Sequence, residues 1–334
     1  MTKISLCGMT ADEIQRSAVS GYSHAVSVSN SIYKKKIDDI HLIPGIPKRI
    51  KDELNRKYFT GLYKPSASLQ SSDGSIKYLF RNNEGLEFET VFLPDIKRNT
   101  VCVSSQSGCR IGCPYCATGR YGFRGNLAVQ DILNQVLSLD VPVNITHIVF
   151  MGMGEPMDNV GNVLKACEIM SAEWGMSISS KNITVSTVGI TDRIEHFLAN
   201  SRANLALSLY SPFPEERAQM IPVEKKFPAS RIIDIMATYS ASRRMSIAYI
   251  MIRGINDTNQ HLEGLKALVS KKGIRINLLP YHPLPGDYYI SSPPEIIQHF
   301  KHELVISGIS ASIRKSRGAD ISAACGLLAS GLAC

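Results

Sequence analysis

Three cysteines, Cys109, Cys113 and Cys116, stand in a C-x3-C-x2-C row within the stretch CVSSQSGCRIGCPYCATGRYGF (102–123). Thiols at this spacing can hold a metal. Structural zinc asks for four ligands, usually from two paired units. The chain has no second C-x2-C pair and no H-x3-H, and Cys102, on the strand before the row, is a poor fourth ligand. Free cysteines are often simply buried, but Gly108, Gly112, Pro114 and Gly119 make this segment a loop rather than a packed element. An iron–sulfur cluster held by three cysteines fits better. Three thiolates on a four-iron cluster leave one iron open, and an open iron can bind a substrate or cofactor directly.

Bulk composition agrees with such a use. The chain has 334 residues, of which 44% are hydrophobic and 20% charged, enough for one large domain or two modest ones. It has no run of 18 apolar residues, so no membrane span is expected. Its start, MTKISLCGMTADEIQRS, is too short and polar for a secretory segment, and a cytoplasmic protein is the expectation. In that compartment eight cysteines point to metal or redox chemistry rather than a disulfide framework. The formal charge is +8, a mild pointer to a polyanionic partner. Between residues 31 and 64 nine Lys/Arg face four acids, leaving +5 in one segment.

The elements that must position the cysteines follow from periodicity. Residues 1–70 read as a small basic helical domain. TADEIQRSAVS has Thr10 as a candidate cap with Glu13 three residues on, and PGIPKRIKDELNRKY spaces Ile50, Leu54 and Tyr58 four apart. Residues 71–98 hold a linking hairpin, IKYLFR and LEFETVFLP across NNEG. From residue 99 to 334, β-branched runs alternate with amphipathic ones. TVCVSS, HIVFMG, NITVST, LALSLY, SIAYIMI, RINLLP and SASIRK are strands, with helices between them and a long polar loop after LALSLY. Repeated βα units imply an α/β fold with a parallel sheet and sites at the strands' C-terminal ends. Six to seven units make a partial (βα)6 barrel with an open side, suited to a large substrate.

C-x3-C-x2-C after the first strand of a βα series, with Tyr115 just before the last cysteine, resembles radical S-adenosylmethionine (SAM) enzymes. The Gly154-Glu155 pair of MGMGEP, after the second strand, strengthens the likeness. Within that superfamily five stretches resemble the RlmN/Cfr family of radical SAM RNA adenosine methyltransferases, closer to the RlmN side: GLEFETVFLP, CVSSQSGCRIGCPYCATGRYGF, FMGMGEPMDN, MIPVEKKFP with the upstream SLYSPFPEER, and RKSRGADISAACG. The likeness covers roughly residues 85–328.

The resemblance implies one 4Fe–4S cluster on Cys109, Cys113 and Cys116, and two SAM per turnover. It implies that Cys325 carries a methyl group as S-methylcysteine and that Cys102 is the resolving thiol, forming a transient disulfide with Cys325. Glu89 would accept a proton and Met151 would lie near the methyl-carrying sulfur. Gly154, Glu155, Ser186, Ser208, Leu209, Tyr210 and His282 would contact SAM. By residue type alone, Cys325 reads as a turn cysteine, Glu89 as a solvated strand glutamate and Met151 as core filler. Cys7, Cys167 and Cys334 match nothing in the family. Tyr210 stands where the family usually has His, His282-Pro283 where it has Asn-Pro, and Ser322 and Leu327 replace an Asp and a Gln beside Cys325.

The expected activity is methylation of adenosine C2 in 23S rRNA, with tRNA as a second candidate. The expected partners are RNA and an electron donor such as flavodoxin or ferredoxin, with a monomeric protein. A flipped-out base is expected, since a stacked base cannot enter a barrel mouth. The alternatives are C8 methylation, another RNA substrate, a radical SAM activase acting on a protein, and a zinc-bearing RNA-binding module.

Overall fold

Local rules account for the N-terminal elements. In the computed structural model, which describes residues 3–329, β1 (Ile4–Ser5) precedes helix α1 (Ala11–Ser17). The Thr10 hydroxyl accepts from the Glu13 N–H (3.2 Å), and the Glu13 carboxylate accepts from the Thr10 N–H (2.8 Å). This reciprocal cap satisfies two donors that a helix start leaves orphaned. Helix α2 (Tyr22–Tyr33) buries Ala25, Val28 and Ile32 on one face. Helix α3 (Lys48–Lys57) runs into β2 (Tyr58–Phe59), which pairs in parallel with β1.

One mixed sheet of ten strands organises the rest, in the order β14-β13-β12-β11-β10-β9-β6-β5-β4-β3. Strands β3 (Ala67–Gln70), β4 (Ile76–Arg81) and β5 (Glu87–Leu93) form an antiparallel meander, and β5 pairs antiparallel with β6 (Thr100–Val103). The hairpin across NNEG is present, and β3 extends it by a strand. A short antiparallel pair, β7 (Gln106–Ser107) and β8 (Gly125–Asn126), closes the neck of the cysteine loop around helix α4 (Ala117–Tyr121).

From β6 onward the sheet is parallel: β9 (His147–Phe150), β10 (Ile183–Thr187), β11 (Asn204–Ser208), β12 (Met245–Met251), β13 (Arg275–Pro280) and β14 (Ala311–Ile313). The crossovers are α5 (Val129–Leu137), α6 (Val160–Ser171), α7 (Thr191–Asn200), α8 (Pro214–Met220) with α9 (Ala229–Tyr239), α10 (Asn259–Val269) and α11 (Pro294–Ile306). That is six βα units and a last strand. On the central strands Ile183, Val185, Leu205, Leu207, Ile247 and Tyr249 occupy alternate positions on one face and are fully buried, while Thr184, Ser186, Ser208 and Ser246 on the other face line interior cavities. Each such side chain contributes about 1.5–3 kcal/mol by leaving water, so the frame is set by the core rather than by surface pairs.

The segment after β11 corrects one expectation. It is not an open polar loop but holds α8 and a 3-10 turn at Pro222–Lys225. Pro214 pre-sets the first helical turn, and Glu215 and Glu216 favour its positive end. Residues of β5, β6, β12, β13 and β14 line one common cavity, so the parallel part curls around it as a partial barrel. Among the described residues no helix is long and apolar enough to cross a membrane.

Candidate active site

Two cavities meet inside this curl. The smaller, about 160 Å³, lies at the C-terminal ends of the parallel strands. Cys109, Cys113 and Cys116 all line it, on a loop that backbone contacts hold tight. Gly108 sits at φ +74°, and a Cβ there would stand 1.6 Å from the Gly122 carbonyl oxygen. Only glycine allows that neck, where the Cys109 N–H donates to the same carbonyl at 3.2 Å.

Burial pushes the Cys109 thiol up to about 12 and raises Cys113 further, with the neighbouring thiols adding repulsion. Such thiols become thiolates only beside a compensating cation. Three soft sulfur donors of this kind around one cavity fit an iron–sulfur cluster. Among the described residues no three His, Cys, Asp or Glu side chains gather closely enough to share a single ion. The three cysteines line one cavity together.

Gly154, Glu155, Ser186, Ser208 and Tyr210 line the same cavity. Gly154 has φ +95°, and an added Cβ would meet the Gln106 side chain at 2.5 Å. The buried Glu155 carboxylate accepts from the Met157 N–H (2.9 Å), the Val188 N–H (2.9 Å) and the Thr187 hydroxyl (2.5 Å). Burial nevertheless pushes it up to about 7, against the pull of those donors. A carboxylate offers roughly four acceptor positions, so one stays open for an ammonium. Ser186 and Ser208 face each other at 3.4 Å between hydroxyl oxygens. Tyr210 holds φ +66° and stacks on Tyr115 with ring centroids 5.7 Å apart, while its carbonyl accepts from the buried Asn256 amide at 2.8 Å. Leu209 is fully buried and lines neither cavity.

The larger cavity, about 390 Å³, extends down the barrel interior. Cys102 lines it from β6. Met151 and Cys325 line both cavities and stand at their junction. Cys325 is exposed, and it lines both cavities. Desolvation raises its thiol, and the Arg314 guanidinium pulls it back. Desolvation first and Cys325 second push the Cys102 thiol up to about 12. His282, expected beside the cofactor, lines this larger cavity instead, with Ser316 2.9 Å from its Nε2. Glu89 lines neither cavity; it is buried on β5, 3.6 Å from the Nζ of the buried Lys77.

The Cys325 loop is strapped on two sides. Asp320 accepts from Ser71 Oγ (2.6 Å) and the Ser72 N–H (3.0 Å), and the Gly318 N–H donates to Asp73 (2.9 Å). On the other side the Ala117 N–H donates to the Gly326 carbonyl (2.8 Å), and Thr118 Oγ1 donates to the Leu328 carbonyl (2.5 Å). Ser322, at φ +52°, turns this loop, and Leu327 is half-buried within it. Cys7 and Cys167 are buried far from this chemistry, and Cys334 lies outside the described residues.

Sequence reasoning missed the clamp behind the smaller cavity. The buried Arg217 pairs with Glu224 and donates to the carbonyls of Leu209 (2.9 Å), Ser208 (3.1 Å) and Val188 (2.5 Å), tying strand ends β10 and β11 together. Both residues sit in stretches already quoted, SLYSPFPEER and MIPVEKKFP, so the signal was present but unread.

Known proteins share this arrangement. Residues 103–266 match the Radical SAM superfamily. A probable dual-specificity RNA methyltransferase RlmN of Parabacteroides distasonis is 42% identical over 332 residues, spanning 98% of this chain and 96% of that protein. The dual-specificity RNA methyltransferase RlmN of Halorhodospira halophila is 36% identical over 307 residues, spanning 89% and 84%. The crystal structure of a radical SAM methyltransferase from Sphaerobacter thermophilus superposes with a TM-score of 0.89 at 32% identity, covering 97% of this chain and 98% of that one.

Proposed function

Because the chain belongs to the RlmN family of radical SAM RNA methyltransferases, we propose that it methylates C2 of an adenosine in 23S rRNA and in tRNA through a methyl group carried on Cys325. The relatives' names speak of dual specificity, which motivates the two RNA classes. The observation that carries the reading is that Cys325 lines both cavities. A thiol at the junction can take a methyl group on one side and deliver it on the other. The detour has a chemical reason: an aromatic adenine carbon is not nucleophilic and cannot attack SAM itself.

The residues then divide the work. Glu155 holds the ammonium of SAM, with Gly154, Ser186, Ser208 and Tyr210 around it; Leu209 acts through its carbonyl held by Arg217. The 4Fe–4S cluster, held by Cys109, Cys113 and Cys116, supplies when bound the electron that cleaves SAM to a 5′-deoxyadenosyl radical. The Cys325 thiolate displaces the methyl group of a first SAM. A hydrogen atom is removed from that S-methyl group at the cost of a second SAM, so two are used per turnover. The carbon radical adds to adenine C2, with Met151 beside the sulfur. The adduct loses its ring proton, with Cys102 assisting and Glu89 as acceptor, and one electron, which the oxidised cluster would take up when bound. The Cys102 thiolate then attacks the Cys325 sulfur, the sulfur–methylene bond breaks, the released carbon takes a proton to become the methyl group, and a Cys102–Cys325 disulfide forms. Such a bond is transient in a reducing compartment.

The protein is proposed to act in the cytoplasm as a monomer, with flavodoxin or ferredoxin as electron donor. Residues 1–70 form the basic unit that grips RNA, 71–98 the link, and 99–334 the catalytic barrel. Peptide mass analysis after incubation with SAM tests the reading. The Cys325 peptide should gain one methylene unit, and Cys325→Ala should gain none. A wild-type peptide left unmodified by SAM would reject the carrier role.

A further inference from the structure

The larger cavity carries charge that the chemistry above does not use. Arg98, Arg244, Arg275, Arg314 and Arg317 line it, and Asp95 is the acid among its lining residues. Asp95 sits 3.7 Å from Arg317. Among the described residues, Arg98, Arg244, Arg275 and Arg314 have no carboxylate within 4.0 Å. Arg244 immediately precedes β12, Arg275 opens β13, and Arg98 lies two residues before β6. These three stand at the N-terminal ends of parallel strands, away from the cofactor end. Their side chains are exposed, and Ser246 on β12 pairs with Arg275, which brings two of them to one stretch of rim.

The field at this rim is strongly positive. Desolvation first, then repulsion from Arg314 and Arg244, holds the Arg98 guanidinium below its usual value. His147 is held down by desolvation and then by Arg98 and Arg244. Asp95 near Arg98 and the Ser310 hydroxyl, which accepts from Arg275 at 3.0 Å, offset only part of the cost of gathering these guanidinium groups, and an anionic occupant would offset more. Between the rim and the two sulfurs the walls are mixed: Thr184, Ser246, Asn277 and Ser312 stand among Val91, Val149, Leu279 and Ile313. A basic mouth, a throat with both hydrogen-bonding and apolar walls, and thiols at the end match a nucleotide with its base inward and its phosphates outward. At about 390 Å³ the space is within the usual range for small-ligand sites.

We infer that Arg98, Arg244 and Arg275 bind backbone phosphates flanking the target adenosine, so that RNA enters from the N-terminal ends of the strands, opposite the cofactor cavity. This rests on the RNA methyltransferase reading. Arginine suits the task because its planar fork meets phosphate oxygens in pairs. The base would pass this throat and meet Cys325 from the side facing away from SAM.

The test uses the full-length, cluster-loaded protein with Arg98→Gln, Arg244→Gln and Arg275→Gln, singly and combined. Equilibrium binding to a 23S rRNA fragment and to tRNA is measured across a salt series, with KM and kcat for methylation. Each lost phosphate contact should make the slope of log K against log salt shallower by about 0.7, and the triple variant should bind about tenfold more weakly. KM should carry most of the loss, and the Arg→Lys set should restore most of the slope. The side chains are exposed, so folding should survive, and the single variants report even if the combined one does not fold. Wild-type methylation with unchanged slope and KM in the variants would overturn this inference alone. A wild-type protein that neither binds nor methylates RNA would overturn the methyltransferase reading as well.

Discussion

In the proposed mechanism Cys325 has to be reached by two reactants that never meet, and its place at the junction of two cavities suits that demand. Replacing it with alanine should leave the iron content intact and abolish RNA methylation, read by iron assay and nucleoside analysis together. Replacing Cys109 should remove both colour and turnover. Cys102→Ala should leave protein covalently trapped on RNA, visible as a shifted band on a denaturing gel; a clean, RNA-free preparation after turnover would count against a resolving thiol. Glu155 gives a pH dependence with a definite sign. Burial raises its carboxyl from 4.5 to about 7. The folded chain thus bears the cost of the ionised form increasingly as pH rises from 4.5 to 7, and in full above that. The ammonium of SAM pairs with that ionised form. SAM affinity should therefore rise through pH 7 and fall about tenfold per unit below it, and Glu155→Gln should flatten the profile in a binding titration. These cysteines and the Gly-Glu pair were legible because their spacing is local. His282, read as a SAM contact from the resemblance, lines the larger cavity, and spacing does not say to which side a residue past a strand end turns.

At the scale of elements, the strand ends around the smaller cavity depend on Arg217. Arg217→Ala would strip hydrogen bonds from three carbonyls and leave the Glu224 carboxylate buried without its cation. Removing one partner of such a pair costs about 3–5 kcal/mol. Thermal unfolding should show that loss, and SAM binding should weaken with it. Most elements were readable from periodicity, including the cap at Thr10 and every parallel strand. Helix α2 was not, since Ser23, Ser27, Ser29 and Ser31 dilute its apolar stripe. Helix α8 was hidden by its charged surface, and β3 by its weakly apolar sequence ASLQ.

The whole molecule joins distant pieces of chain at one point. The turn at Ser71–Asp73 and the cysteine loop both hold the segment that carries Cys325. No local pattern reveals such a strap, and the arginines of the larger cavity are just as scattered in sequence. The resemblance to known enzymes supplied what spacing alone could not, and the 42% identity over nearly the full chain bears it out. The central claim is that the methyl carbon passes through Cys325 to adenine C2. The most direct measurement is anaerobic turnover with methyl-deuterated SAM on 23S rRNA fragments and tRNA, followed by mass analysis against 2-methyl- and 8-methyladenosine standards. A labelled 2-methyladenosine lacking one deuterium from its methyl group is the expected product. A methyl group that keeps all its deuterium, or label found only in 8-methyladenosine, would contradict the account.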